Sequence, residues 1–424
     1  MAYSDTDQAL RDEAIAAYQA VAEDALQRLQ QARERLPLDG GLLICEAGAL
    51  QSANDPAALE QLVSVLDQAP DWIDGHRALA RYRFENGDPD YLAQLEKALK
   101  VLPNKGPLWR LYMQLLADGG YSEKAAKTAH MLRKRGAPAN DFTLLEARYA
   151  GIAGLHDLAE DLFSQLPADW TGKALDEARH RLRQGDGERA EMQLAVIRNA
   201  RPDAIVAWAL TEICWRLTDD PRHAWLLPKS LLPVQIDLNL DRTMLDSLRE
   251  ILYDWHGNQS RPLGQSVRDG TQTRGNLFLR DNAEIRQLTE YFKSAVEGYQ
   301  SEWSELDPEH PILRYRYSPL SLTAGWSVLI RSSGRHVSHV HDEGLISSAF
   351  HIAAPKPDPE DPHQGDLELG RAPQDLALDL KPVAQFSPKG GQLVLFPSFL
   401  YHGTRAIDEG QRLSIAFDAA AIKT

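Results

Sequence analysis

Cysteine is nearly absent from this chain: two residues in 424, Cys45 and Cys214. They lie far apart in apolar helical surroundings, so buried free thiols are expected, and neither a disulfide framework nor a cysteine-based metal site is. Long apolar runs are missing too, none approaching the ~18 residues of a membrane-spanning helix. The opening segment MAYSDTDQALRDEAIAAY is acidic and lacks the apolar stretch of a secretory signal, which gives the expectation of a cytoplasmic protein. Positive charge is in deficit, 46 Lys and Arg against 61 Asp and Glu, for a formal charge of −15. That balance disfavours nonspecific binding to nucleic acid or anionic membrane, so neither is expected as a partner, although a local basic pocket is still affordable. The remaining composition, 43% hydrophobic and 25% charged, is that of a globular protein long enough for two or three domains, each with its own core.

Residues 1 to about 220 predict helix after helix. Ala, Leu, Glu, Gln and Arg dominate, and apolar residues recur every three or four positions, as in LEQLVSVLDQA and EKAAKTAHMLRKR. The punctuation repeats. Gly87, Gly120, Gly154 and Gly185 each separate two helical stretches and lie 33, 34 and 31 residues apart. Three of them are followed five residues later by a small side chain, Ala125, Ala159 or Ala190, which lets paired helices approach. Pro70, Pro103, Pro138, Pro167 and Pro202 close successive units. Over residues 38–220 this helix–Gly–helix–Pro order resembles the tetratricopeptide repeat, whose stacked pairs form a concave surface suited to a peptide or protein partner.

The texture changes at DDPRHAWLLPKSLLPV, where three prolines mark a boundary. We therefore expect a helical repeat domain over 1–220, a linker over 221–235 and a second domain over 236–424. One more helix is predicted near 281–303, with Asp281 or Asn282 as its N-cap. From about 312 onward short β-rich runs (GWSVLIR, ISSAFHI, GQLVLFP, RLSIAFD) alternate with turn signals such as SPKGG, which predicts a sandwich or jelly roll. The loop 355–365, with Pro355, Pro357, Pro359 and Pro362, reads as an exposed connection.

Chemistry concentrates in two segments of the second half. In RSSGRHVSHVHDEG, extended backbone would put His339 and His341 on one side, because strand side chains repeat every two residues. Imidazoles so spaced can occupy two positions on one metal, though an isolated His-x-His pair is by itself uninformative. Downstream, GGQLVLFPSFLYHGTRAIDEGQRLSIAFD reads as strand, Pro-marked turn with His402, short loop and final strand beginning near Arg412. The 61 residues between His341 and His402 suffice for the intervening strands of a double-stranded β-helix. Gly391, Pro397 and His402 also follow the second cupin-type motif.

Three blocks in order, 264–273 (GQSVRDGTQT), 325–352 and 390–418, resemble bacterial 2-oxoglutarate/Fe(II)-dependent oxygenases that carry tetratricopeptide-type repeats ahead of the oxygenase domain. The resemblance implies an α+β chain: a tetratricopeptide-like α-helical solenoid followed by a double-stranded β-helix (jelly roll). It implies Fe(II), 2-oxoglutarate and O₂, with hydroxylation of a peptide, protein or small molecule and release of succinate and CO₂. It also implies that Arg412 binds the distal carboxylate of 2-oxoglutarate, and that Ser348 and His351, with Ser347, lie where co-substrate contacts occur. The usual triad of these enzymes is His-x-Asp/Glu…His, and this chain has His341 at the carboxylate position. Three ligand sets are open: His339, His341 and His402; His339 and His402 with water; or His341, Glu343 and His402. The first is favoured for its uniform imidazole donors. His336, of opposite parity to His339, is expected to be structural or to support the ligands. The competing functions are a cupin-like metalloenzyme without 2-oxoglutarate, or an inactive repeat adaptor.

Overall fold

A computed structural model describes the chain apart from residues 1–2, 54, 56–57, 169, 258–265, 343, 356–358 and 423–424. Its first half is a stack of antiparallel helix pairs: Gly40–Ser52 with Glu60–Gln68, Ile73–Glu85 with Ala93–Val101, Gly106–Asp118 with Ser122–Lys134, Ala139–Ile152 with His156–Ser164, and Ala174–Arg183 with Gly187–Ala200. First helices of successive pairs pack on one another, Gly40–Ser52 on Ile73–Glu85 and that helix on Gly106–Asp118. The expected turn glycines sit between the helices of four pairs with left-handed φ of 74°, 93°, 80° and 73° at 87, 120, 154 and 185, a conformation that side chains resist. Ala125, Ala159 and Ala190 are fully buried where the helices meet.

A second repeat was not foreseen. The ring nitrogens of Trp109 and Trp208 each donate to the carbonyl of the proline six residues earlier, Pro103 at 2.8 Å and Pro202 at 2.8 Å, and His76 Nε2 pairs with Pro70 at 3.1 Å. A proline has no N–H of its own and stops a helix. Its carbonyl is left over at the turn, and the next unit's ring satisfies it.

The second half is built on two antiparallel sheets. The strands are β1 (Val234–Asp237), β2 (Val267–Gln272), β3 (Leu320–His336), β4 (Ile346–Ala353), β5 (Leu367–Leu369), β6 (Ala384–Phe386), β7 (Gln392–Pro397), β8 (His402–Thr404) and β9 (Gln411–Ala421). The larger sheet runs β1-β7-β4-β9-β3-β2 and the smaller β6-β5-β8. One face of the larger sheet packs its Phe350 and Phe417 against Phe292 of the helix Ala283–Ser301, which Asn282 caps through Ile285 N–H at 2.9 Å. The other face is turned toward the smaller sheet.

The two halves share a core. One apolar cluster extends from Ala178 and Trp208 through Leu226 and Leu231 to Phe350 and Phe417. The stretch 221–235, expected as a linker, is thus packed: Leu226 and Leu231 are fully buried and Val234 opens β1. Polar ties cross as well. Arg179 and Arg183 both grip Asp375, at 2.9 and 2.7 Å, Arg216 donates to the Gly370 carbonyl, and Arg274 pairs with Glu85 at 2.7 Å. Among the described residues no helix is long and apolar enough to cross a membrane.

His310 sits in this junction, its ring 4.9 Å from that of Trp225. Nε2 donates to the Leu226 carbonyl, and Nδ1 accepts the N–H groups of Ile312 and Leu313, each at 3.0 Å. Burial lowers its pKa to about 4. The unfolded chain, with an ordinary histidine, therefore takes up the proton first. The contribution of His310 to stability is complete above about pH 6.5 and is lost as pH drops toward 4, roughly 3 kcal/mol at ~1.4 kcal/mol per pH unit. Thermal melts from pH 7 to pH 4 should show a shallower slope for His310→Gln than for the parent chain; equal slopes would contradict this.

A three-histidine cluster and an anion pocket

The long strand β3 carries the chain from the larger sheet to the smaller. Left-handed Ser333 (φ 67°) bends its end, and the His336 N–H reaches Thr404 Oγ1 at 2.9 Å. The chain then runs beside β8, where His339 and His402 exchange both main-chain bonds, each at 2.9 Å. This reciprocal pair fixes two residues far apart in sequence side by side. His339 and His341 are not on a regular strand, as the periodicity suggested, but on the extended stretch after β3, with a single bridge at His339. Close approach of the two backbones needs Gly403: a Cβ there would lie 2.9 Å from the His336 carbonyl oxygen and 3.0 Å from the Ser338 nitrogen.

Ring centroids of His339, His341 and His402 are 4.3 to 5.1 Å apart, and one nitrogen from each lies within 4.8 Å of the others. The other nitrogen of each ring is held from behind. Nδ1 of His339 meets the Val337 carbonyl at 2.9 Å, Nδ1 of His402 the Leu400 carbonyl at 3.1 Å, and Nδ1 of His341 the Asp418 carboxylate at 2.9 Å. A carbonyl can only accept, so Nδ1 carries the proton and Nε2 keeps its lone pair. Burial, followed by the charge of neighbouring His341, brings His339 down to about 4, and burial holds His402 well below the usual histidine range. Both are neutral donors at pH 7. The donor set therefore fits a divalent transition metal, with acceptors behind each ring of the kind that orient metal-binding imidazoles.

Asp418 escaped the sequence reading. It is 6% exposed on β9 and also accepts from Ser347 Oγ at 2.6 Å. A signal existed: alternate residues of β9 share a face, so Arg412 and Asp418 point the same way. Glu343, the alternative ligand, lies outside the described residues, as does Pro357 of the proline-rich loop.

The cluster opens on a cavity of about 370 Å³ walled by both sheets, with Trp326, Val328, Ile330 and Leu367 among its apolar lining. Arg412 is also in that wall. It is 3% exposed, forms no ion pair among the described residues, and its Nε has no hydrogen-bond partner. Burial lowers it to about 10, against the opposing pull of Asp366, so it stays cationic at pH 7. A buried guanidinium without a partner is costly, and an anion in the cavity would relieve it. Ser348 touches the cavity, but its hydroxyl donates to the Phe417 carbonyl at 2.8 Å and accepts the Phe417 N–H at 2.9 Å. His351 is fully buried with neither ring nitrogen partnered, near enough to Arg412 for the guanidinium to add to the lowering of its pKa.

Residues 324–418 match the family described as "Putative 2OG-Fe(II) oxygenase". That segment holds all three histidines and Arg412, and it forms an oxygenase domain. The enzyme is a 2-oxoglutarate-dependent Fe(II) oxygenase, with iron and 2-oxoglutarate as its cofactor and co-substrate. Similar solved structures include HygX from Streptomyces hygroscopicus with nickel, 2-oxoglutarate and hygromycin B bound (12% identity, 47% of this chain, 87% of that one, TM-score 0.32). A Pseudomonas putida prolyl-4-hydroxylase is similar at 14% identity over 45% of this chain and 93% of that one, TM-score 0.31. A Trichoplax adhaerens prolyl hydroxylase in complex with a hypoxia inducible factor peptide fragment shows 14% identity over 49% and 93%, TM-score 0.32. No curated protein matches the chain.

Gly403→Ala should force apart the segments that bring His339 to His402. Overpacking of this kind costs about 1–3 kcal/mol. A lower Tm of the metal-free protein is the expected result, and an unchanged Tm would mean that the strand can shift freely.

Proposed function

We propose that the enzyme hydroxylates a substrate at an iron held by Nε2 of His339, His341 and His402, with Arg412 binding the distal carboxylate of 2-oxoglutarate. The observation that carries this reading is one cavity with three inward nitrogens at one side and an unpartnered guanidinium in its wall. Bound iron with 2-oxoglutarate and O₂ supplies the oxidation: the keto acid becomes succinate and CO₂, and one oxygen atom enters a substrate C–H bond. The chain's own residues bind and orient. Main-chain carbonyls and Asp418 fix the three rings, Arg412 can offer two parallel hydrogen bonds to a carboxylate, and the apolar walls limit water. Ser348, tied to Phe417, is then a packing residue, and His351 is buried outside the cavity wall.

On this reading the two sheets form a double-stranded β-helix, and the helical pairs are a tetratricopeptide-like solenoid. The division 1–220, 221–235 and 236–424 then marks function rather than separate cores. The solenoid favours a peptide or protein substrate, because its stacked pairs present an extended surface and are tied to the oxygenase domain at Asp375 and Arg274.

Anaerobic Fe(II) and 2-oxoglutarate together should give a visible charge-transfer band. His402→Ala should abolish it. Arg412→Ala should raise the 2-oxoglutarate Kd about 10- to 100-fold, the equivalent of ~1.5–3 kcal/mol for a charged hydrogen bond. Metal binding without the band would favour a cupin-like enzyme, and no metal binding an inactive adaptor. Asp418→Asn, which keeps the shape but not the charge behind His341, is expected to weaken metal affinity roughly 10- to 100-fold by equilibrium titration. Undiminished affinity would remove Asp418 from the centre.

A further inference from the structure

A second cleft, of about 370 Å³, adjoins the histidine-lined cavity and has no part in the site described so far. One side of it is formed by the segments that carry the histidines, 335–338 running off β3 and 403–406 running off β8. His336, Gly403 and Thr404 belong to the walls of both hollows. The other side is the stretch after β5, between Arg371 and Leu378. Within it Gln374 precedes Asp375, the residue that Arg179 and Arg183 of the helical stack hold. One margin of the cleft is therefore cavity wall, and another adjoins the contact with the stack.

Its charge runs against that of the chain. Three guanidinium groups, on Arg335, Arg371 and Arg405, line it with a single carboxylate, Glu368, in a protein of net charge −15. Glu368 is buried and already held by Arg371 at 2.7 Å. Arg405 pairs with Asp361 at 2.8 Å and keeps 41% of its side chain exposed. Arg335 has no ion pair or side-chain hydrogen bond among the described residues. In the β2–β3 register it stands directly opposite Arg268. Like charges so placed repel, and an anion beside them offsets the penalty.

The rest of the lining narrows the kind of anion. Ala372, Pro373, Ala377 and Leu378 form an apolar strip, and Gln374 adds an exposed amide. No Phe, Tyr or Trp lines the cleft among the described residues, so a nucleobase would find no such ring to stack on. The negative charge of the whole chain also opposes a polyphosphate backbone. Carboxylates on a peptide, with methylene groups to lie on the apolar strip, suit these features together.

We propose that this cleft binds an acidic peptide segment, the flank of a substrate whose reacting residue enters the neighbouring cavity. Calling the peptide a substrate rests on the oxygenase reading above; its acidic character rests on the cleft alone.

Fluorescence anisotropy of a fluorescein-labelled hexaglutamate peptide, titrated with the full chain, tests this. Binding is expected at low ionic strength and should weaken as salt is added. Arg335→Glu should raise the Kd about tenfold or more, Arg335→Lys should stay near the parent value, and Arg405→Ala should cost roughly 2- to 5-fold. The same charge reversal at Arg242, 95% exposed on the helix Arg242–His256, should matter little and controls for net charge. The Tm of each variant and its Fe(II)–2-oxoglutarate band should match those of the parent chain, which excludes a folding defect. No binding of the peptide would overturn the proposal. An equal loss in Arg242→Glu or undiminished affinity in Arg335→Glu would do the same. So would displacement of the peptide by an equal concentration of hexathymidylate, which would mark a phosphate site. A parent chain that binds the peptide but shows no band would overturn the oxygenase reading, and with it the substrate role, on a separate readout.

Discussion

The site depends on one pair of main-chain hydrogen bonds, those exchanged between His339 and His402. Side chains 63 residues apart in sequence could in principle be brought together by packing alone, but packing tolerates small shifts. A reciprocal backbone pair does not, because both bonds lengthen when either strand slides. Gly403 is needed for the approach, and the bend at Ser333 delivers the chain to it. Everything the cavity can bind follows from that registration. The acceptors behind it are also backbone: two of the three Nδ1–H groups donate to carbonyls two residues upstream, at Val337 and Leu400. The geometry of these rings is thus set largely by the chain's own path.

Charge is distributed in an equally definite way. In the proposed centre three imidazoles stand where a mixed donor set would have a carboxylate, and the negative group is one layer back, as Asp418 against His341. Around the cluster and Arg412, four buried nitrogens on three residues, His336, His351 and Arg412, are unpartnered. Folding leaves such groups unsatisfied where a ligand completes them. The acidity of the chain as a whole, −15, coexists with a buried Arg412 in this cavity because surface charge and pocket charge are set by different residues.

Much of this was legible in the sequence, for stated physical reasons. Turn glycines announce themselves because few other residues accept left-handed φ, and of the two caps expected for the helix at Ala283–Ser301, Asp281 or Asn282, the structure uses Asn282. His339, His341, His402 and Arg412 stood out as rare residue types at strand-compatible spacing. What was not legible depended on pairing between segments. The displacement of the His-x-His pair off β3, the hydrogen bonding of Ser348 to Phe417, and the seat of Asp418 behind His341 all arise from the β3–β9 and β4–β9 registers. His336 was set aside by parity, and parity fails across the bend at Ser333. The boundary near 220 was read from prolines, which report a change of backbone and not the shared apolar core that crosses it.

The helical half and the sheets are held by common packing and by ion pairs at both Asp375 and Arg274, so the stack is positioned with respect to the cavity and not merely tethered to it. The central claim concerns the atoms that face the metal. Anomalous diffraction at the iron edge, from anaerobic crystals loaded with Fe(II), tests it most directly. The account predicts one peak at bonding distance from Nε2 of His339, His341 and His402, with Asp418 behind His341 and not on the metal. A peak bound by a carboxylate in place of His341, or none at the three rings, would contradict it.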